Sequence, residues 1–241
     1  MVEVNELSDT VRAGIDGFTA AAREVFAENL VSLVLFGSAA EGRLRATSDV
    51  NLIVVLARAE PAALDAIGPA YRLAHAAIRL SAMFILDSEI ALASVAFALK
   101  FFDVSARHRV LWGSDPFAGL VIDRDSAKRR LRQVLINLTL RLREHRALSG
   151  VFPEQLALMA ADAVGPLRAA CALVLSLETG AVVHPRDALI AVAAAGGKEA
   201  ALAAITEARE TGRVPAVGAS AAIQAAIDLA ALVATRAEAL G

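Results

Sequence analysis

Apolar residues fall into three short blocks within the first ninety positions, and helix-spaced stripes take over afterwards. VSLVLF (31–36), VNLIVVL (50–56) and SAMFIL (81–86) are compact apolar runs bounded by turn or polar residues, the pattern of buried strands. Residues 8–29 set Val11, Ile15, Phe18, Ala22, Val25 and Phe26 on one helical face behind a Ser8 or Asp9 cap. A second helix over 61–79 starts at Pro61 and carries Leu64, Ile67, Leu73 and Ile78. Ser88 is placed to cap a further short helical piece. The segment 97–112, FALKFFDVSARHRVLW, fits strand and helix alike, and Gly113-Ser114-Asp115-Pro116 is a turn.

Beyond that turn the strand signals stop. Residues 124–148 form a long amphipathic helix with Leu131, Val134, Leu135, Leu138 and Leu142 on one side. Further helices fit 153–178 (one helix, or two halves around Gly165-Pro166), 186–195, 197–211 and 218–239. Gly196-Gly197 and Gly212 to Pro215 separate the last three. The chain therefore reads as an α+β domain over 1–118 followed by an all-α helical-bundle domain over 119–241, with no internal repeat.

Composition narrows the classes. With 241 residues, 57% of them hydrophobic, the chain can build a sizeable core. A mean hydropathy of +0.56 raises the question of a membrane. The most apolar long segments, 156–177 and 214–235, owe much of that value to alanine and contain Asp162, Arg168, Gln224 and Asp228. They read as buried helices rather than spans, so no membrane partner is expected. MVEVNELSD lacks the basic and apolar regions of a signal peptide. A net charge of −2 gives the chain no general affinity for polyanions. The single cysteine, Cys171, rules out an intramolecular disulfide and a thiolate zinc cluster, and in AACALVL it is a small hydrophobe. His75, His108, His145 and His184 share no ligand spacing. A cytoplasmic protein is expected.

The chemistry concentrates in LVSLVLFGSAAEGRLRATSDVNLIVVL (30–56). Gly37-Ser38 follows one strand at what reads as a helix start. Glycine lets a phosphate approach the backbone, where free N–H groups and the serine hydroxyl can bind it. Asp49 and Asn51 are two residues apart near the start of the next strand, so their side chains share a face. Carboxylates so placed, joined by a third from a neighbouring strand, can hold two Mg²⁺ ions for phosphoryl transfer. Ser48 can orient Asp49. Arg43 and Arg45, in the intervening loop, reach a triphosphate or face solvent.

The run LFGSAAEGRLRATSDVNLIVV resembles the signature of the DNA polymerase β-like nucleotidyltransferases: an apolar strand, Gly-Ser, about ten residues, then Asp-x-Asp on a strand. HRVLWGSDP (108–116) is similar to a stretch often found after that domain, and the helical half is similar to those of minimal and kanamycin-type members. The resemblance implies a nucleotidyltransferase-type mixed sheet with flanking helices. It also implies transfer of a nucleoside monophosphate from an NTP to a hydroxyl or amine acceptor with Mg²⁺, the metal on Asp49 and Asn51 and the nucleotide on Gly37, Ser38, Arg43 and Ser48.

This sequence departs from that pattern. The second Asp is Asn51, which offers an amide oxygen but no charge. The family's third carboxylate lies inside the third strand, yet SAMFIL is apolar within. Asp87, in phase with Ser81, Met83 and Ile85, is the nearest candidate for a third catalytic group; the alternative is a capping or turn role. The long helix is basic through Lys128, Arg129, Arg130, Arg132, Arg141, Arg143 and Arg146, as a ligand-holding face or as a solvated one. Two readings stay open: an active transferase, or an inactive relative serving as nucleotide sensor or interaction module, with the helical domain as a homodimer surface.

Overall fold

The two most apolar runs form the centre of a sheet. Leu30–Phe36 (β1) and Val50–Leu56 (β2) pair antiparallel and are buried along nearly their whole length. Leu80–Leu86 (β3) adds parallel to β2, and His108–Gly113 (β4) adds antiparallel to β1, giving the mixed order β3-β2-β1-β4. This computed structural model describes residues 7–44, 48–148, 153–211 and 218–240. Arg45 and the spacer Gly212 to Pro215 lie outside the described residues. The chain divides into two units: Met1–Val95 with Phe101–Val121, and Ala96–Lys100 with Ile122–Gly241.

In the first unit, helix α1 (Asp9–Phe26) starts where Ser8 Oγ accepts from the Val11 N–H at 3.4 Å. Helix α2 (Pro61–Ile78) is the crossover that the parallel β2–β3 pair requires. The two helices pack together, and Phe18, Ala22, Phe26, Leu33, Leu35, Leu52, Val54, Ile67 and Leu80 share one core with them. Aromatic residues are few, but four sit in contact: Tyr71 meets Phe18 at 5.9 Å and Phe84 at 6.0 Å, and Phe84 meets Phe26 at 6.2 Å. The Ala82 N–H donates to Tyr71 Oη at 3.0 Å, tying α2 to the edge strand.

The ambiguous segment contains both elements. Ala98–Ala106 is helical (α4), and β4 follows after Arg107. Phe101 and Val104, one helical turn apart, are fully buried, whereas β4 is a half-exposed edge. Between β3 and helix α3 (Ile90–Ala96), Glu89 rather than Ser88 closes the turn, its carboxylate accepting from the Leu86 N–H at 2.9 Å. Strand β4 is fixed by Ser32, whose Oγ donates to the Trp112 carbonyl at 3.1 Å, and the Arg23 guanidinium lies 3.8 Å from the centre of the Trp112 ring. The turn after β4 is held by Asp115, whose Oδ1 accepts from the Phe117 N–H at 2.9 Å and lies 3.0 Å from His108 Nε2.

The second unit is helical: α5 (Arg124–Ala147), α6 (Pro153–Thr179), α7 (Pro185–Ala195), α8 (Glu199–Thr211) and α9 (Ala219–Glu238). Asp123 caps α5 by accepting from the Ser126 N–H at 2.7 Å, and hydrogen bonds from Ser126 hold its carboxyl below the usual carboxylate range. Helix α6 runs unbroken through Gly165-Pro166, although Pro166 has no N–H to give the preceding turn. Leu158–Thr179 and Ser220–Glu238 are long and apolar enough to cross a membrane by length and composition. Here α6 and α9 pack against each other and against α5 and α8, burying Leu167, Cys171, Ala226 and Leu229 completely. A forked ion pair joins them, Arg236 Nε and Nη2 lying 3.2 and 2.6 Å from the two oxygens of Glu178. Two cations of the basic helix serve the same bundle: Lys128 donates to the Leu240 carbonyl at 3.1 Å and Arg146 to that of Ser220 at 2.9 Å.

Candidate functional site

Among the described residues, those predicted from the Gly-Ser turn and the Asp-x-Asn strand gather at a single end of the sheet in the first unit. Strand β1 ends in Phe36, and Gly37 turns the chain with φ +73°, a conformation that favours glycine. Gly37–Ala39 form one short 3-10 turn rather than the start of a long helix, and Gly42, at φ +68°, redirects the chain again. The Arg43 N–H donates to the Ser38 carbonyl at 2.8 Å, so the loop folds back on the Gly-Ser turn. Glu41 is held there by Arg107 Nη1 at 2.7 Å, and Arg107 also pairs with Asp103. Beside this turn lies a polar cavity of about 550 Å³, bordered by Arg12, Asp16, Glu41, Gly42 and Arg109.

Asn51 pairs with Phe36 across the antiparallel ladder, which places it next to Gly37. A methyl group built on Gly37 would stand 3.8 Å from Asn51 Nδ2. That Nδ2 donates to the Asp49 carbonyl at 3.2 Å. Ser48 and Asp49 precede the strand, Ser48 partly buried and Asp49 half-exposed. Gly37, Ser38, Arg43, Ser48, Asp49 and Asn51 are therefore neighbours.

Asp87 is not among them. In the parallel ladder Asn51 stands beside Ser81, while Leu86 stands beside Leu56 at the opposite end of the strands. At about 3.3 Å per residue, Asp87 lies roughly 20 Å from the Asn51 row. Alternation gave the correct phase along β3, but phase does not set distance along a strand. Parallel neighbours align start with start, so a group beside Asn51 must come from the beginning of β3, and that residue is the exposed Ser81.

A residue that the motif did not suggest joins this group. Arg79 lies between α2 and β3, and its Nε donates to Asp49 Oδ1 at 2.8 Å, with both side chains half-exposed or more. Its backbone is left-handed, φ 53° and ψ 38°. The Arg79 N–H donates to the His75 carbonyl at 2.9 Å, and its carbonyl accepts from the Val50 N–H at 3.3 Å. The only sequence signal for this residue was a cation at the junction that leads into the third strand.

The donor set can be weighed against the metal. Asp49 gives one carboxylate, Asn51 an amide and Ser81 a hydroxyl, a total of one negative charge. Mg²⁺ is commonly held by one or two carboxylates together with substrate phosphates. These residues fit one such ion brought in with a nucleotide; they do not fit a pair of ions.

No family model matches this chain, and no curated protein matches its sequence. A solved structure does match in fold: spectinomycin adenyltransferase AAD(9) from Enterococcus faecialis, determined with ATP and spectinomycin, at a TM-score of 0.67 over 92% of this chain and 98% of that one. The sequences are 13% identical, so the likeness is one of fold. This chain has a nucleotidyltransferase-type architecture, a mixed sheet with flanking helices followed by a helical region.

Proposed function

We propose that this chain binds a nucleoside triphosphate at the Gly37–Asn51 end of its sheet and transfers the nucleoside monophosphate to a hydroxyl or amine acceptor. The observation that carries this reading is the convergence of the left-handed Gly37 turn, Asn51 and Asp49 on a fold shared with an adenyltransferase. In the reaction, an acceptor oxygen or nitrogen attacks the α-phosphorus, the bond to the β-phosphate oxygen breaks, and pyrophosphate leaves. The acceptor proton passes to solvent, because Asp87 is too distant to take it. Ser38 and the backbone around Gly37 bind phosphate. Asp49 and the Asn51 oxygen would hold one Mg²⁺, which neutralises phosphate charge when bound.

The test is incubation with ATP, Mg²⁺ and a panel of hydroxyl- and amine-bearing acceptors that includes spectinomycin. Mass spectrometry should then find an acceptor heavier by one nucleoside monophosphate. A second reading is favoured by Asn51, Ser81 and the Arg79–Asp49 pair: the site binds nucleotide without transferring it, and the protein acts as a nucleotide sensor or interaction module. Asn51→Asp separates the two. A gain of Mg²⁺-dependent transfer supports a site short of one ligand, and no gain supports the sensor.

A further inference from the structure

We infer that Arg79 does the work of a metal ion at this site, so that a nucleoside triphosphate binds here without any divalent cation. The inference rests on the nucleotide-binding reading above and names the group that neutralises the phosphates.

The placement of Arg79 is enforced from both sides. Its N–H is held by the His75 carbonyl and its own carbonyl by the Val50 N–H, the residue between Asp49 and Asn51. The adjacent Leu80 carbonyl is bonded to His75 Nδ1 at 2.9 Å. The guanidinium is thereby delivered to Asp49, where Nε takes one carboxylate oxygen at 2.8 Å. Its two terminal nitrogens have no partner among the described residues, and the side chain is 60% exposed. A guanidinium presents a planar fork of donors that matches a phosphate, and the charge is permanent.

Two further observations make this more than a surface ion pair. The residue closing a helix in the left-handed conformation is usually glycine, and here the chain carries arginine there at a backbone cost that glycine would avoid. An exposed ion pair by itself contributes too little to explain that choice. The site also has little charge of its own with which to recruit a metal ion ahead of the nucleotide. Its single carboxylate is already matched by Arg79, and Asn51 and Ser81 add no charge to attract Mg²⁺, whereas a triphosphate is strongly anionic.

The experiment is calorimetric titration of the whole chain with a non-hydrolysable ATP analogue, once in EDTA and once in Mg²⁺. Wild type is expected to bind in EDTA within about threefold of its affinity in Mg²⁺. Arg79→Gln should weaken binding in EDTA by about tenfold or more, the loss expected for one charged hydrogen bond, and Mg²⁺ should recover part of it. Arg79→Lys should keep most of the metal-free affinity. Arg79→Gly suits the left-handed backbone, so it should melt at or above the wild-type temperature while losing metal-free binding as Gln does. Wild-type binding that requires Mg²⁺, or an Arg79→Gln variant that titrates like wild type in EDTA, overturns the inference and leaves the nucleotide site standing. Absence of binding in both buffers removes the site and the inference together.

Discussion

Asn51 and Ser81 stand side by side at the beginnings of two parallel strands. Two side chains in that relation are close enough to share one ion, and neither supplies a charge. Asn51→Asp combined with Ser81→Glu should therefore create a divalent-cation site with Asp49. Manganese titration followed by electron paramagnetic resonance should show binding by the double variant at least tenfold tighter than by wild type, with each single variant in between. Equal affinity in all four proteins would show that these positions do not form one site.

Gly37 and Gly113 both have positive φ, but substitution should affect them differently. Gly37→Ala makes only an ordinary van der Waals contact, with Asn51 Nδ2 at 3.8 Å, so it carries only the left-handed backbone cost of about 1–2 kcal/mol. At Gly113 a Cβ would sit 2.1 Å from the Val31 carbonyl oxygen, which β1 holds in place. Gly113→Ala should cost more than about 4 kcal/mol or abolish soluble expression. Urea denaturation of the two variants checks the contrast.

Arg107 anchors Glu41 and Asp103 with only 13% of its side chain exposed. Arg107→Met fills similar volume but takes the guanidinium away from two mostly buried carboxylates. The loss should be about 3 kcal/mol, the range for breaking one side of a buried ion pair. Adding Glu41→Gln and Asp103→Asn to that variant should recover part of the melting temperature.

Cys171 is fully buried, and desolvation pushes its thiol up to about 12. It should react with Ellman's reagent at pH 8 only as fast as the helical unit opens, and completely in denaturant. A thiol whose pKa is raised by folding gives a stability contribution that is full below its unfolded value and is lost as pH rises toward the folded one. The melting temperature should thus fall between about pH 9 and pH 12. Cys171→Ala should flatten that part of the fall.

Periodicity located the helices and strands because burial dictates both, and VSLVLF and VNLIVVL are buried on both faces as such runs should be. The segment 97–112 was unreadable because a short buried helix, with Phe101 and Val104 inward, abuts an edge strand without a glycine or proline between them. Gly37, Ser38, Asp49 and Asn51 were legible as a group, since adjacent antiparallel strands joined by a loop bring the end of one to the start of the next. Asp87 misled because alternation reports which face a residue occupies and not how far along the strand it lies. Ser81 follows only from the register of β3 on β2. Arg79 follows only from the way α2 ends, and neither leaves a periodic trace.

Trp112 is the only tryptophan in the chain, and it sits on the outermost strand beneath the Arg23 guanidinium. The molecule's one strong fluorophore thus lies on an edge of the sheet. Peeling β4 from β1 would break the Ser32 tether and move the indole away from the cation, changing emission intensity and colour while the rest of the sheet stays intact. The protein carries a built-in optical gauge of edge fraying, readable without any label.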